Sequence, residues 1–195
     1  MNIVKLIKNR RTVRAFSDKT IHERDLEKII SSGIWGPSLL AAGFQPWKFI
    51  IIKNKNIIAK ISEKLAKRSE TISISQRRIL KTSASVVDSA TVLIIVYNDK
   101  SLSKYLKRIK GLLREVAKCA EISAIAASMQ NMILVAESIG IGSCWLDAPL
   151  FCEKQINKLS NCNDKLFAIL ALGYPKTKSV RSKRKAFEDT VKYIR

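Results

Sequence analysis

The sequence predicts a domain of the α+β class, with α/β as the alternative, built on a central sheet with one long helix buried in its core. Helical and strand-like patterns are interspersed along the chain, which indicates a mixed fold. The strand candidates are short runs of β-branched and aromatic residues. The segment from Ile122 to Ile139 is apolar on almost every side, as expected for a helix inside a core.

The amino-terminal part of the chain predicts two helices. Residues 2–9 are expected to form a short helix with its apolar side chains on one face, namely Ile3, Val4, Leu6 and Ile7. Thr20 and Glu23 have the Thr-x-x-Glu spacing of a capping box, so a second helix is expected from Ile21 to Ser32. Gly33 is expected to end this helix, and a loop follows.

Strands and helices alternate along the rest of the chain. Strands are predicted at Trp47–Lys53, Val92–Tyr97, Ser143–Leu146 and Phe167–Leu172. A Lys-rich helix is predicted from Asn56 to Lys81, and a basic amphipathic helix from Leu102 to Val116, which continues after a break into the core helix. No internal repeat or interdomain linker is recognisable in the sequence. Residues 1–195 are therefore predicted to be a single domain, with a basic carboxyl-terminal arm over about 176–195.

Length and composition are those of a globular protein. The 195 residues are 47% hydrophobic, which is enough for one sizeable core. The longest apolar run is interrupted by Gln130, Asn131 and Glu137, so no membrane span is predicted. Lys5 and Lys8 interrupt the first apolar residues, so no signal peptide is expected and a cytoplasmic location is predicted.

The distribution of cysteine and histidine argues against metal and nucleophile chemistry. No CxxC pair occurs among the four cysteines, which are Cys119, Cys144, Cys152 and Cys162. Reduced and mostly buried thiols are expected, with no metal site and no disulfide framework. A catalytic pair would depend on His22, the only histidine, so no catalytic side chain is predicted.

The formal net charge of +20 raises the question of a polyanionic partner. The basic residues are mainly lysines, and they are spread over residues 60–81, 100–118 and 176–195 instead of forming one stripe. Many of them alternate with apolar residues at helical spacing, as on a solvated helix face. Binding to nucleic acid or another polyanion is therefore kept only as the alternative from a different functional class.

A basic cluster follows the first predicted helix. Three arginines and a hydroxyl lie within five residues, at Arg10, Arg11, Thr12 and Arg14. Arginine offers a planar fork of donors that matches phosphate oxygens, and it stays charged at any working pH. The cluster therefore predicts a phosphate-binding site, with an ordinary solvated charge cluster as the alternative.

A glycine pair, Gly140 and Gly142, lies between the core helix and the next strand. This order is the reverse of the strand–turn–helix arrangement of a dinucleotide-binding site. The pair indicates either a simple helix end or a backbone that passes close to a flat ligand. The core helix also carries polar side chains that need partners in neighbouring backbone or in a cofactor cavity: Ser123, Ser128, Gln130 and Asn131.

Four short motifs occur in a fixed order along the chain. They are Arg10-Arg11-Thr12-Val13-Arg14-Ala15-Phe16, Pro37-Ser38 leading to Gln45-Pro46-Trp47-Lys48-Phe49, Gly140-Ile141-Gly142-Ser143-Cys144-Trp145, and Leu172-Gly173-Tyr174-Pro175 before a basic tail with Arg184-Lys185. Each motif is weak alone. Together and in this order, they resemble the nitroreductase family of FMN-dependent oxidoreductases, and the resemblance covers nearly the whole chain.

The resemblance implies an α+β homodimer with a central mixed sheet and FMN bound in two clefts at the subunit interface. The FMN phosphate, ribityl chain and pyrimidine edge would be held by Arg10, Arg11, Thr12 and Arg14. A second phosphate contact from the tail would come from Arg184, helped by Lys183. The isoalloxazine ring would be lined by Pro37 and Ser38 of the partner subunit. The backbone that passes the flavin, with one amide near N5, would be that of Trp145, Leu146, Asp147 and Ala148.

The resemblance also implies a reaction. A reduced nicotinamide, NADH or NADPH, would pass hydride to N5 of the flavin and leave, and a nitroaromatic, quinone or related acceptor would then take its place in a ping-pong mechanism. Alternatives on the same fold are FMN-dependent dehydrogenation, removal of halogen from aromatic rings, and fragmentation of reduced flavin.

Two departures from the family pattern concern the expected site. The loop from Pro37 to Gln45 is two residues longer than the Pro-Ser-x-x-Asn-x-Gln-Pro-Trp spacing of the family, and Gly43 stands in place of the Asn. Asp147 and Ala148 stand where many relatives have Gly-Gly. A carboxylate near the ring would disfavour an anionic reduced flavin and so lower its reduction potential, unless the side chain points to solvent.

Overall fold

A computed structural model describes residues 2–38, 43–106 and 111–194 of the chain. Its helices are α1 (Ile3–Asn9), α2 (Glu23–Ile34), α3 (Lys55–Glu70), α4 (Ile74–Ser89), α5 (Ser101–Tyr105), α6 (Leu112–Ser138) and α7 (Glu153–Ser160), with a 3-10 helix at Ala148–Cys152. Its strands are β1 (Trp47–Ile52), β2 (Val92–Asn98), β3 (Gly142–Leu146) and β4 (Lys165–Gly173). The α+β class and the long helix are confirmed. Parts of the predicted Pro37–Gln45 loop and of the predicted Leu102–Val116 helix lie outside the described residues.

The four strands form one sheet in the order β1-β2-β4-β3, and each neighbouring pair is antiparallel. The expectation of a mixed sheet is therefore wrong for these strands. The reason is visible in the connection from β1 to β2, because α3 and α4 are joined by three residues and pack on each other. Such a helix pair returns the chain to the end of the sheet where β1 stopped. Parallel pairing in the described residues is limited to an isolated bridge between Thr12 and Ser143.

The sheet separates two apolar layers. Every residue of β2 is buried, and the side chains alternate between the two faces. Leu93 and Ile95 belong to the core on the side of α3 and α4, whereas Ile94 and Val96 belong to the core on the side of α2 and α6. This arrangement explains why the strand reads as a continuous apolar run.

Helix α6 is one continuous element of 27 residues. The break predicted between Val116 and Ile122 is wrong, because α6 passes through both residues without interruption. By length and composition alone, α6 is apolar enough to cross a membrane, which the sequence did not predict. Its side chains at Ile125, Met129 and Met132 are fully buried with those of α2 and the sheet, as in the core helix of a globular protein.

Polar residues of α6 hold α2 in place. The Ser128 hydroxyl donates to the Gly33 carbonyl at 2.7 Å, and the Asn131 amide donates to the Ser32 and Trp35 carbonyls at 3.3 Å. A Cβ on Gly33 would lie 2.9 Å from Cγ of Met132. Gly33 therefore permits close helix packing and does not end α2, which continues to Ile34.

Two further boundaries differ from the predictions. Helix α2 begins at Glu23 with His22 as its N-cap, and no side chain caps it, so the predicted capping box at Thr20 is wrong. The predicted Lys-rich helix over 56–81 is two helices. The first, α3, ends at Glu70 with Thr71 as its C-cap, and the Thr71 hydroxyl donates to the Arg68 carbonyl at 3.2 Å. Ser73 is the N-cap of α4.

Candidate functional site

The two ends of the chain meet at the β3 edge of the sheet. The Val13 amide donates to the Ser143 carbonyl at 2.9 Å, which attaches the amino-terminal segment to β3. The Ser17 amide donates to the Tyr174 carbonyl, also at 2.9 Å, which attaches the same segment to the chain leaving β4. These backbone hydrogen bonds bring the basic cluster after α1 next to the basic carboxyl-terminal arm.

Between these two segments lies a cavity of about 250 Å³, here called the basic cavity. The cationic and hydroxyl residues that line it from the amino-terminal side include Arg10, Arg11, Thr12 and Arg14. Those that line it from the arm are Arg181, Ser182 and Arg184. The predicted cluster and the predicted Arg184 are therefore brought together. Lys183 is not among the lining residues, and Arg181 takes the place expected for it. The uniformly basic composition of the arm offered no signal for choosing between them.

The charged residues that line the basic cavity are all cationic. None of its lining residues is acidic, and no carboxylate of the described residues lies within 4.0 Å of a guanidinium that lines it. Two guanidiniums also donate to backbone. Nη1 of Arg11 donates to the carbonyls of Lys8 and Arg10, both at 2.8 Å, and Nη1 of Arg184 donates to those of Ser182 and Lys183 at 3.4 and 3.3 Å. Such a set of unpaired guanidiniums is suited to a dianionic phosphate.

A second cavity of about 330 Å³, here called the strand-end cavity, lies where β3 ends. It is lined by Trp145, Leu146, Asp147 and Ala148, as expected for that motif, and by Arg14. Helix α4 contributes residues that sequence reasoning missed, because this helix was interpreted as part of a Lys-rich surface helix: Arg78, Thr82 and Ser83. Arg14 lines both cavities. A molecule with a phosphate at one end and a flat group at the other could therefore extend from the basic cavity past Arg14 into the strand-end cavity.

The Asp147 side chain has a defined orientation. Its Oδ1 accepts a hydrogen bond from the Trp145 indole nitrogen at 2.6 Å. Asp147 is exposed and belongs to the lining of the strand-end cavity. The carboxylate is therefore oriented by the Trp145 indole at an exposed position beside this cavity.

Cys144 lines the same cavity but is not a nucleophile. Burial raises the pKa of its thiol to about 11, although the nearby Arg14 opposes this effect. At neutral pH the thiol is protonated, and only a thiolate is reactive. Cys152 and Cys162 are also buried, as predicted, whereas Cys119 is exposed.

Glycine is required at positions 140 and 142 for different reasons. Gly140 has φ +77°, a left-handed conformation that ends the helix. A Cβ on Gly142 would lie 2.8 Å from Cγ2 of Val13 and 3.1 Å from Cγ of Pro175. The close approach predicted at Gly142 is therefore made by the amino-terminal segment of the same chain, and the glycine allows that segment to lie flat on β3.

Pro37 and Ser38 lie just beyond the end of α2, where they are exposed. They line neither the basic cavity nor the strand-end cavity of their own chain. Helix α2 packs on the opposite face of the sheet from α4. Within one chain, the predicted loop residues and the predicted strand-end residues are therefore not brought together.

Comparison with known proteins agrees with this architecture. A profile described as the nitroreductase family matches residues 7–174. A protein from Archaeoglobus fulgidus, provisionally named an NADH dehydrogenase/NAD(P)H nitroreductase, is 30% identical over 177 residues, which are 89% of this chain and 85% of that protein.

Solved structures share the fold over the whole chain. The crystal structure of a BluB-like flavoprotein from Clostridium difficile 630 has a TM-score of 0.82 at 23% identity, with 100% of both chains covered. A nitroreductase with bound FMN from Bacteroides fragilis has a TM-score of 0.74 at 22% identity, again with 100% of both chains covered.

Proposed function

Since the chain belongs to the nitroreductase family, we propose that it is an NAD(P)H-dependent oxidoreductase that binds FMN across the basic cavity and the strand-end cavity. The observation that carries the proposal is the position of Arg14, which lines both cavities. FMN has a dianionic phosphate, a flexible polar chain and a flat ring system. The residues present fit each of these parts, and the two cavities have Arg14 in common.

The basic cavity would bind the phosphate. Arg10, Arg11 and Arg184 supply charge-assisted donors, and the Thr12 hydroxyl can donate to a phosphate oxygen or to the ribityl chain. Arg181 adds a further cation from the arm. The chain thus encloses the phosphate from two segments that are distant in sequence.

The strand-end cavity would hold the flavin ring. Arg14 lies at the boundary between the two cavities, where it can donate to the pyrimidine edge. The backbone from Trp145 to Ala148 forms one wall, and we assign the Asp147 amide to N5. When bound, FMN supplies hydride transfer between a reduced nicotinamide and an acceptor. No nicotinamide-binding fingerprint occurs in the sequence, so the donor and the acceptor, a nitroaromatic or a quinone, would use the same pocket in turn.

A homodimer is part of the proposal. The apolar face of α1 is left uncovered, since Ile3, Val4 and Ile7 are each more than half exposed. Exposed apolar residues that cluster on one helix face are typical of an interface. In such a dimer, the ring would be covered by Pro37 and Ser38 of the partner subunit.

The first test measures the cofactor itself. The purified protein should be yellow or should take up added FMN, and it should bind riboflavin at least about 100-fold more weakly, because a phosphate with several charge-assisted hydrogen bonds contributes about 3 kcal/mol or more. Arg184→Gln should weaken FMN binding about tenfold and riboflavin binding little. Arg24→Gln, on the exposed side of α2, is the matched control and should change neither. A protein that takes up no FMN would refute the proposal.

The second test addresses the reaction. NADH or NADPH should remove the yellow colour under anaerobic conditions, and menadione or a nitrofuran should restore it. Loss of colour that requires a substrate but no nicotinamide would support one of the alternative flavin reactions instead.

A further inference from the structure

A third cavity lies at the corner between α5 and α6, where β2 ends and β4 begins. Its volume is about 510 Å³, and we call it the corner cavity. Among the described residues, none that lines it also lines the basic cavity or the strand-end cavity. Pockets of about 300–1,000 Å³ are typical of small-molecule sites, so its size is adequate for a ligand with one or two rings.

The floor of the corner cavity is a buried carboxylate that the proposed function does not use. Glu121 is 1% exposed. Its Oε1 accepts a hydrogen bond from the backbone amide of Ser103 at 2.7 Å. Its Oε2 accepts from the Ser103 hydroxyl at 2.9 Å and from the side-chain Nδ2 of Asn98 at 3.2 Å. Both oxygens are therefore satisfied by uncharged donors, and the carboxylate fixes α5 to α6.

The rim of the corner cavity is basic. Its five cationic residues come from three elements. They are Lys100 and Lys104 from the N-cap and body of α5, Arg114 and Lys118 from α6, and Lys165 from β4. Of the carboxylates in the described residues, Glu115 lies 2.7 Å from Lys118 and Glu153 pairs with Lys165. None lies within 4.0 Å of the cationic groups of Lys100, Lys104 or Arg114. Because Glu121 is held by neutral donors, these three cations are available to an incoming anion.

The walls between floor and rim are apolar, since Leu106, Ala117 and Ile122 line them. A cavity with an apolar wall and a cationic rim is complementary to a molecule that carries one anionic group on an apolar body. We infer that the corner cavity is a binding site for a small organic anion, specifically an aromatic or alicyclic carboxylate.

The inference is tested by calorimetric titration of the FMN-saturated protein with 1-naphthoate and with its uncharged analogue 1-naphthamide. Saturation with FMN keeps naphthoate out of the basic cavity. Naphthoate should bind at a single saturable site, and naphthamide should bind at least about tenfold more weakly, because it cannot form the charge-assisted contacts. If the protein takes up no FMN, the proposed function fails, and the same titration of the unloaded protein, with phosphate added to fill the basic cavity, still tests the corner cavity.

A matched pair of double variants separates this site from the general positive field of the chain. Lys104→Gln with Arg114→Gln should weaken naphthoate binding at least about tenfold, which equals about 1.4 kcal/mol. Lys60→Gln with Lys81→Gln removes the same charge from exposed positions of α3 and α4 and should change the affinity less than about twofold. Equal losses in the two double variants, equal binding of naphthoate and naphthamide, or no saturable binding would each overturn the inference.

Discussion

Replacing Gly142 by alanine tests how the amino-terminal segment is seated on β3. The new Cβ would lie 2.8 Å from Cγ2 and 2.9 Å from Cβ of Val13. Ordinary contacts between carbon atoms are about 3.5–4.0 Å, so the segment must retreat by at least about 0.7 Å. Overpacking of this kind costs about 1–3 kcal/mol.

The sign of the change in stability shows whether the alanine Cβ clashes with Val13. Without the clash, Gly→Ala at an unstrained position stabilises a protein by about 0.4–1 kcal/mol, because the unfolded chain loses conformational freedom. With the clash, Gly142→Ala should lower the melting temperature by about 2–12 °C for a chain of this size. It should also weaken FMN binding, because Val13 lies between Thr12 and Arg14.

Thermal unfolding followed by circular dichroism, together with FMN titration, measures both effects. Gly140→Ala is the matched control, since no atom of the described residues lies within 4 Å of its Cβ and its cost comes from φ +77°. Shortening Val13 to alanine should reduce the penalty at Gly142 and leave that at Gly140 unchanged. A Gly142→Ala protein as stable as the parent would refute the close contact.

Three further outcomes are expected. Asp147→Asn should raise the FMN reduction potential, because it removes a carboxylate that disfavours the anionic reduced flavin. The rise is about 30 mV for each tenfold change in the relative affinity for reduced and oxidised flavin. Dye equilibration measures the potential, and an unchanged value would mean that the carboxylate lies too far from the ring. Asp164→Asn should lower the unfolding midpoint at pH 7, because the hydrogen bond from Lys48 holds the pKa of Asp164 below its ordinary value. Stability from a depressed carboxyl pKa is present above about pH 3.9 and is lost as the pH falls through the lowered value, so the difference between parent and variant should shrink in acid and would contradict the assignment if it grew. Iodoacetamide at pH 8 should modify Cys119 in the native protein and leave Cys144 unmodified, as mass spectrometry would detect, whereas rapid labelling of Cys144 would show that its thiol is not buried.

Much of the fold was predictable because its strands are dense in β-branched residues. The predicted strand at Val92–Tyr97 differs from the observed β2 by one residue, since both faces of β2 are buried and its pattern is unambiguous. Strand direction was less predictable. It depends on whether a connection contains one helix or two, and a Lys-rich stretch without glycine or proline gave no sign of the turn at Thr71.

The site was predictable where the motifs are contiguous. Arg10, Arg11, Thr12 and Arg14 line one cavity because they follow one another along a single segment. Arg78 was not predictable, since it reaches the strand-end cavity only through the packing of α4 on the sheet. Glu121 was not predictable either, because its partners at Asn98 and Ser103 are about 20 residues away in the chain and are neutral, so no charge pattern marks them.

The closure of the basic cavity by residues 10–14 and 181–184 has a consequence for biosynthesis. A nascent chain that still holds residues 181–184 inside the ribosome presents the lining cations Lys8, Arg10, Arg11 and Arg14 without Arg181 and Arg184. Under the proposed function, such a chain would hold the FMN phosphate more weakly than a chain in which the two segments have met.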